Sequence, residues 1–430
     1  MQYLNIIYFL FLTILAYHYL LSDGKVLKGA LNPNLSFKYS GVELFWCLTF
    51  GTSLLAFSAN VGLDLMAIRL LVLEILCIIG INISRNKIVL NLSMKIYIVY
   101  LLWLVFGLLY SPAPIFGVRV ILKYLYPLLL CLFASSAVRD SEVFFKSSKW
   151  ARIVGIISLI FGIVPLIGIL VPGVFWYGTA RAINFISIMI FSLGMAYFSN
   201  KKRKNLFFTI LFLIPCFFWV LRTSIFGSAV AIMAFYLIKE KWKSFPIILG
   251  IYVLGIGAIF FIPSIKEKTF YDDSVTFEDY REGKIDEENV NTNFRSTMWK
   301  DLELKFYKDH KLLGSGTGVV QHELYTNPLS YGGLMVPHSD FVQQKCDNGL
   351  IGLILYGAII FFMFVDCFKT YHKSTDPAIR LCALVAGASL LGVYATFYSD
   401  NVVNYSMATL AMPFGFYGMM LGMRINSLQS

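Results

Sequence analysis

The residue types that could do chemistry are concentrated in one polar stretch, residues 293–356, of an otherwise apolar chain. The stretch carries Arg295 and Trp299 four residues apart, a glycine-rich turn at 314–318, and His338 directly before Ser339. An arginine side chain presents a planar fork of N–H donors that matches phosphate oxygens, and histidine is the most frequent general base. This combination predicts a site that binds an anion and removes a proton from a hydroxyl group.

His338 stands where we predict the start of a helix, because Ser339 is of the residue type that caps helix N-termini. The N-terminus of a helix carries partial positive charge and free N–H groups, which attract anions and disfavour another positive charge nearby. A neutral imidazole in this field can accept a proton. The alternative is that His338 only bonds a backbone carbonyl. The nearby acid Asp340 either orients the ring or faces solvent.

Arg295 lies on a second predicted helix, whose N-cap we assign to Asn293. Apolar residues recur there at helical spacing, so that one face can be buried: Phe294, Met298, Leu302 and Phe306. Arg295 and Trp299 share another face, and an aromatic neighbour suits an arginine that binds phosphate. The alternative is a solvated surface arginine.

Further cations stand beside apolar runs elsewhere in the chain. Arg222 lies in the sequence WVLRTSIFGSA, where an ionisable group at membrane depth costs a few kcal/mol unless it is paired or faces water. Snorkelling of its side chain to the interface is the alternative reading. Arg181, and Arg119 with Lys123 one helical turn further on, complete the set. Cations of this kind suit a lipid-linked diphosphate leaving group, with His338 activating an acceptor hydroxyl.

No motif in the chain predicts a cofactor or a bound metal. There is no Walker loop, no dinucleotide fingerprint and no zinc-ligand spacing, and the turn LLGSGTG follows a predicted helix rather than a strand. The polar loops also lack a paired-acid motif for a divalent cation. We therefore expect a metal-independent site, with Arg181, Arg119, Lys123, Trp299 and Asp340 as candidate substrate-binding residues beside the catalytic candidates His338, Arg295 and Arg222.

The composition predicts an all-α, polytopic membrane protein. The chain is 58% hydrophobic and 14% charged, against about a quarter charged residues in soluble domains. The net charge of +11 is explained by basic residues in short cytoplasmic loops, so no nucleic-acid partner is expected. The seven cysteines lie mostly in apolar runs, which indicates packed thiols rather than disulfides. The first apolar run lacks a cleavage site, so we interpret it as a retained span.

Apolar runs of suitable length predict about 12–14 membrane spans. The candidates are residues 3–21, 42–58, 63–81, 94–110, 116–138, 153–171, 183–198, 207–220, 225–238, 245–261, 350–368, 381–397 and 407–423. They divide the chain into a helix bundle at 1–262, a large polar loop at 263–346 and C-terminal spans at 347–430. The acidic part of the loop, 272–288, is either a lid or mobile.

Basic residues occur in alternate connections between these spans, which predicts their orientation. The connections rich in lysine and arginine are assigned to the cytoplasm. The other connections then face outward together with the N-terminus: 58–62, 111–114, 172–181, 222–224, 263–345 and 399–404. All of the candidate site residues therefore lie near the outer face.

These features resemble the O-antigen polymerase and ligase superfamily of bacterial envelopes. The resemblance is carried by the late outer loop, by Arg-x3-Trp at Arg295, by the turn GSGTG, and by PHSDF leading into DNGLIGL. By this resemblance His338, Arg295 and Arg222 match the family's loop histidine, loop arginine and middle-span arginine, and Arg181 before Asn184 matches a further arginine. Serine follows the histidine where the family more often has asparagine.

The resemblance implies a fold like that of GT-C-type glycosyltransferases and a reaction at the periplasmic face of the inner membrane. In that reaction an undecaprenyl-diphosphate-linked oligosaccharide is the donor. In a polymerase the acceptor is another lipid-linked repeat unit, whereas in a ligase it is the lipid A core. We favour a polymerase, with a chain-length regulator and a flippase as possible partners in the same membrane. A transporter or flippase is the alternative class, although transporters usually place ionisable groups at the midplane in repeated halves.

Overall fold

The structure is a computed structural model, and it describes residues 45–46, 49, 65–84, 88, 90–163, 179–218, 222–272, 274–285, 290–291 and 294–429. In these ranges the chain is almost entirely helical and forms no β-strand. The predicted class is confirmed: this is an all-α polytopic membrane protein. The predicted spans at 3–21 and, apart from three residues, 42–58 lie outside the described residues.

The helices are numbered here in chain order over the described ranges. They are α1 Leu65–Ser84, α2 Leu92–Leu108, α3 Pro114–Ala137, α4 Ser141–Ile163, α5 Thr179–Phe198, α6 Lys202–Phe218, α7 Arg222–Glu240, α8 Phe245–Phe261, α9 Pro263–Thr269, α10 Phe277–Arg281, α11 Arg295–Phe306, α12 Val319–Thr326, α13 Asp340–Lys373, α14 Pro377–Ala395, α15 Ser406–Thr409 and α16 Ala411–Gln429.

Four stretches among the described residues are long and apolar enough to cross a membrane, judged by length and composition. They are Pro114–Ala137, Arg222–Phe261, Asp340–Lys373 and Pro377–Tyr398. Shorter apolar helices cover Leu92–Leu108 and Ile183–Phe198. In its described part, each predicted span from 63–81 to 381–397 overlaps one α-helix, although several helices extend beyond the apolar run, and the span predicted at 407–423 overlaps both α15 and α16. The largest extension at a helix start is in α4, which begins twelve residues before the predicted span at 153–171, and α13 begins ten residues before the predicted span at 350–368.

Helix α14 lies at the centre of the bundle, where nearly all of its residues are buried. It packs against α7, α16, α13 and α5, while α16 packs on α3 and α13 on α2. Small residues on α14 allow these close approaches: a Cβ atom on Gly392 would lie 2.7 Å from the carbonyl oxygen of Gly227 on α7. This contact fixes the N-terminal part of α7, and hence Arg222, against the residues that follow α14.

Helix α13 contains a break at Gly349, whose φ of 66° and ψ of −167° are not helical. The amides freed by the break are satisfied by the chain before the glycine-rich turn, because Leu350 N–H donates to Lys311 O at 2.9 Å and Ile351 N–H donates to Leu312 O at 3.3 Å. A positive φ of this kind favours glycine. The first turns of α13 thus belong to the polar region, and the remainder continues into the membrane-length helix.

Part of the acidic stretch after α8 is folded. Thr276 caps α10 through reciprocal hydrogen bonds with Asp279, as in a capping box. Phe277 and Tyr280 of α10 pack around Phe260 near the end of α8, with ring centroids 5.6 and 5.7 Å apart. The described residues of this stretch therefore form a small ordered element beside the outer end of α8, and residues 273 and 286–289 lie outside the description.

Candidate active site

Contacts of the candidate residues converge on the loop after α14, residues 399–404, which we call the outer loop after the orientation predicted from the sequence. Arg295 donates from Nη1 to the carbonyl oxygen of Ser399 at 3.0 Å. The hydroxyl groups of Thr223 and Ser399 lie 3.1 Å apart, so the residue next to Arg222 contacts the same position. Segments that are distant in sequence therefore meet at the beginning of this loop.

Arg222 and Arg295 approach each other at Ser399, because Arg295 and Thr223, the neighbour of Arg222, both contact this residue. Arg222 donates from Nη1 to the carbonyl oxygen of Asn291 at 3.0 Å, and both side chains are partly buried. Burial lowers the pKa of the Arg295 guanidinium, and the Asp400 carboxylate raises it. Both groups stay protonated, since arginine does not titrate at physiological pH. Two neighbouring, partly buried cations form a site that an anion such as a diphosphate would stabilise.

His338 also faces the Asp400 side chain. Its Nδ1 is 3.9 Å from Asp400 Oδ1, and the two side chains are 26% and 11% exposed. The distance exceeds a hydrogen bond, and Nδ1 is buried with no hydrogen-bond partner among the described residues. The φ of His338 is 50°, which is uncommon for a residue other than glycine. Backbone strain of this kind occurs often at functional sites.

Both sequence neighbours of His338, Pro337 and Ser339, form hydrogen bonds that fix the backbone around it. The indole N–H of Trp299 donates to the carbonyl oxygen of Pro337 at 2.6 Å, and its ring packs edge-on against Tyr398. Ser339 accepts from Val342 N–H and is the N-cap of α13, which confirms the predicted helix start. Trp299 thus uses its one donor to position the residue before His338, an arrangement that the sequence pattern did not indicate.

Asp340 neither orients the imidazole of His338 nor faces solvent, the two roles considered from the sequence. It is only 2% exposed, and its Oδ2 accepts from Val403 N–H at 3.1 Å. Its own N–H donates to Asp400 O at 3.3 Å. The carboxylate beside the imidazole is that of Asp400, because Asp340 faces the outer loop and fixes its backbone. The proposed orienting or solvated role of Asp340 is therefore corrected.

Lys123 joins a second polar group, which we call the amide cluster: Lys123, Gln321 and Asn404. Lys123 Nζ donates to Asn404 Oδ1 at 2.7 Å, and Gln321 Nε2 donates to the same oxygen at 2.8 Å. Arg119 lies one turn earlier on α3, with its guanidinium 5.4 Å from the centroid of the Phe116 ring. Lys123 is thus placed at the far end of the outer loop from Ser399, and Arg119 lies over the Phe116 ring on the same helix.

Two predicted positions are less fully described. Arg181 lies near the start of α5, and its side chain is outside the described residues. Asn293 is also outside them; α11 begins at Arg295 with Phe294 at the N-cap position and a φ of 63°. The helix starts one residue later than predicted, because Phe294 adopts a left-handed conformation there. The helical pairing of Arg295 and Trp299 holds.

The glycine-rich turn has a structural role. The buried carboxylate of Asp347 on α13 accepts from Gly318 N–H at 3.0 Å and Val320 N–H at 2.9 Å. Thr317 Oγ1 donates to Leu104 O and contacts Asn348 Oδ1, both at 2.8 Å. Gly316 and Gly318 have positive φ and lie so close to the neighbouring backbone that side chains would collide. The turn therefore attaches the polar region to α2, α3 and α13, and its N–H groups are occupied by protein.

Asp400 is the site residue that sequence reasoning missed. It had been placed only within the outer connection 399–404, and the acid there, in YSDNVVNYS, was the available signal. Among the described residues, no group of three or more His, Cys, Asp or Glu is arranged to hold a metal ion. The six described cysteines are buried free thiols, as predicted.

The fold and the site together define a polytopic membrane protein with one histidine, two arginines and an aspartate gathered at one end of its helix bundle. The family model described as O-antigen ligase matches residues 207–357, about a third of the chain, and this segment contains Arg222, Arg295 and His338. The match confirms the resemblance to the O-antigen polymerase and ligase superfamily. It supports polymerase or ligase activity in general and fits both equally. No curated protein matches the chain.

Proposed function

We propose that the chain is an O-antigen polymerase that joins undecaprenyl-diphosphate-linked oligosaccharide repeat units at the periplasmic face of the inner membrane. The observation that carries this proposal is the meeting of His338, Arg222 and Arg295 at the outer loop. A diphosphate leaving group needs cations, and an acceptor hydroxyl needs a base. Both requirements are met by groups beside this loop: Arg295 contacts Ser399, His338 faces Asp400, and Arg222 is next to Thr223, which also contacts Ser399.

In the proposed step, the acceptor hydroxyl attacks the anomeric carbon of the donor sugar. A bond forms between the hydroxyl oxygen and the anomeric carbon, and the proton moves to the imidazole of His338. The bond between the anomeric carbon and the diphosphate oxygen breaks, and its electron pair leaves with undecaprenyl diphosphate. Arg222 and Arg295 neutralise the charge that develops on this leaving group, so the reaction is proposed to need no metal.

Asp400 completes the arrangement, because its carboxylate faces Nδ1 of the imidazole. A proton on Nδ1 leaves the other ring nitrogen free to accept the proton of the acceptor, and the carboxylate stabilises the imidazolium that then forms. The separation of 3.9 Å must shorten by about 1 Å to become a hydrogen bond. Catalytic hydrogen bonds are often long in structures without substrate.

Transfer to the lipid A core is the second candidate, because the matching family includes this activity as well. The discriminating experiment supplies the purified protein with the lipid-linked repeat unit alone. Growing chains are expected of a polymerase, whereas product that appears only after addition of lipid A core would identify a ligase. Movement of the substrate across the bilayer without either product would identify a transporter.

The same assay tests the role of His338. The His338→Ala variant should form no long chains while it reaches the membrane in normal amount, because a general base supplies about 10²–10⁴-fold in rate. Normal ladders from this variant would exclude His338 as the base. A chain-length regulator and a flippase in the same membrane are proposed partners.

A further inference from the structure

We propose that the amide cluster, together with the aromatic surface of Phe116 and Tyr325, is the subsite that binds the sugar of the acceptor repeat unit. This inference rests on the proposed function and specifies where its second substrate is bound. The amide cluster lies at the opposite end of the outer loop from the arginine pair, and its chemistry suits hydroxyl groups rather than phosphate.

The proposed surface is formed by one face of α12 and one face of α3, which contact each other. On α12, Gln321 and Tyr325 are four residues apart and share one face. On α3, Phe116 contacts Tyr325 at a ring-centroid distance of 5.7 Å, and Arg119 lies over the same Phe116 ring. Tyr325 is 63% exposed. An exposed aromatic ring beside carboxamide groups offers an apolar face for a sugar ring and hydrogen bonds for its edges.

The hydrogen-bond donors and acceptors of the amide cluster suit a sugar better than a phosphate. Carboxamides both donate and accept hydrogen bonds, as sugar hydroxyls do, whereas phosphate oxygens only accept. The single cation of the cluster, Lys123, is already directed at the amide oxygens of Asn404 and Gln321, at 2.7 and 3.5 Å. The concentrated positive charge needed for a diphosphate is instead at Arg222 and Arg295, since Arg295 and the neighbour of Arg222, Thr223, both contact Ser399.

The order of contacts along the outer loop gives the geometry of the reaction. Ser399 contacts Arg295, Asp400 faces His338, and Asn404 contacts Lys123 and Gln321. Asn404 lies four positions after Asp400, which is at most about 14 Å of extended chain. The base therefore lies between the cation pair and the amide cluster along this loop.

This order matches the requirement of the proposed displacement. An attacking hydroxyl and a leaving diphosphate lie on opposite sides of the anomeric carbon. If the diphosphate is bound by Arg222 and Arg295, the acceptor must approach from the side of His338 away from them. Asp340 fixes this spacing, because it contacts the backbone of both Asp400 and Val403.

The test is equilibrium binding of the free repeat-unit oligosaccharide, released from its lipid diphosphate, to the purified full-length chain in detergent. We expect Gln321→Ala and Tyr325→Ala each to weaken this binding about tenfold, since each removes one contact with the sugar. Binding of undecaprenyl diphosphate should be unchanged in both. Asn327→Ala is the matched control, because Asn327 caps the same helix from an exposed position outside the cluster.

Binding of the oligosaccharide does not require catalysis. The result of the binding experiment can therefore be separated from the result of the activity assay that tests the proposed function. The His338→Ala variant should bind the oligosaccharide as the wild-type chain does, even though it forms no product. If His338→Ala were fully active, the proposed catalytic role would fail while the binding result still reported on the subsite. Unchanged oligosaccharide binding in Gln321→Ala and Tyr325→Ala, or no binding by the wild-type chain, would overturn the subsite.

Discussion

Replacement of Asp400 by Asn is the sharpest single perturbation of the proposed mechanism. Asparagine keeps the side-chain oxygen that accepts from Asn401 N–H at 2.8 Å, and the backbone contact with Asp340 is unaffected. The substitution removes the negative charge that faces the imidazole of His338 and that also acts on the Arg295 guanidinium. We therefore expect the fold to be retained and the rate of the chemical step to fall.

The size of the effect follows from the separation of the two groups. For unit charges 3.9 Å apart, the attraction between carboxylate and imidazolium is about 1 kcal/mol in water and about 4 kcal/mol at an effective dielectric constant of 20. These limits correspond to roughly 5-fold and 10³-fold in rate. Because both side chains are partly shielded from solvent, we expect a loss in kcat of about 10²-fold.

The assay is chain growth by the purified Asp400→Asn variant with varied lipid-linked repeat unit. The KM for the donor should stay the same or fall slightly, because the carboxylate also repels the diphosphate. Thermal unfolding in detergent checks that the fold is intact. Wild-type kcat with an intact fold would refute the pairing of Asp400 with His338, and a raised KM with unchanged kcat would assign Asp400 to substrate binding instead.

Three further predictions concern charge, packing and pH. Arg295→Lys keeps the charge but loses the planar fork, so its kcat/KM should fall nearly as far as in Arg295→Ala; full activity would indicate simple electrostatic attraction. Gly392→Ala places a Cβ atom 2.7 Å from a carbonyl oxygen of α7 and should cost about 1–3 kcal/mol in thermal unfolding, whereas Gly250→Ala, with open space around it, should cost little. Burial alone would raise the pKa of Glu323, but hydrogen bonds from Lys305 and neighbouring groups lower it overall. Its contribution to stability is therefore present at neutral pH and lost as the pH falls through the lowered pKa, so Glu323→Gln should be less stable than wild type at neutral pH only; an equal loss in acid would contradict this.

Local patterns were sufficient to predict several parts of the site. The apolar spacing around Met298 and Leu302 predicted α11, and both residues are buried there. The residue type of Ser339 predicted the start of α13 beside His338. These predictions succeeded because caps and helical periodicity depend on residues a few positions apart.

Contacts between segments that are distant in sequence could not be predicted from such local patterns. Asp400 lies 62 positions after His338, and no local pattern relates an acid in a connection between spans to a particular histidine. The hydrogen bond from Trp299 to Pro337 likewise depends on how α11 packs beside α13. Asp347 was noted only as part of a motif, whereas its hydrogen bonds to the glycine-rich turn emerge from the tertiary structure.

The most direct measurement is a double-mutant cycle for the binding of undecaprenyl diphosphate to the purified chain, with Arg222→Ala, Arg295→Ala and the double variant. We predict that each single variant binds at least tenfold more weakly and that the two effects are not additive, because both arginines contact the same diphosphate. His338→Ala should bind as the wild-type chain does. Unchanged affinity in both arginine variants, or strictly additive losses, would contradict a single diphosphate pocket formed by Arg222 and Arg295.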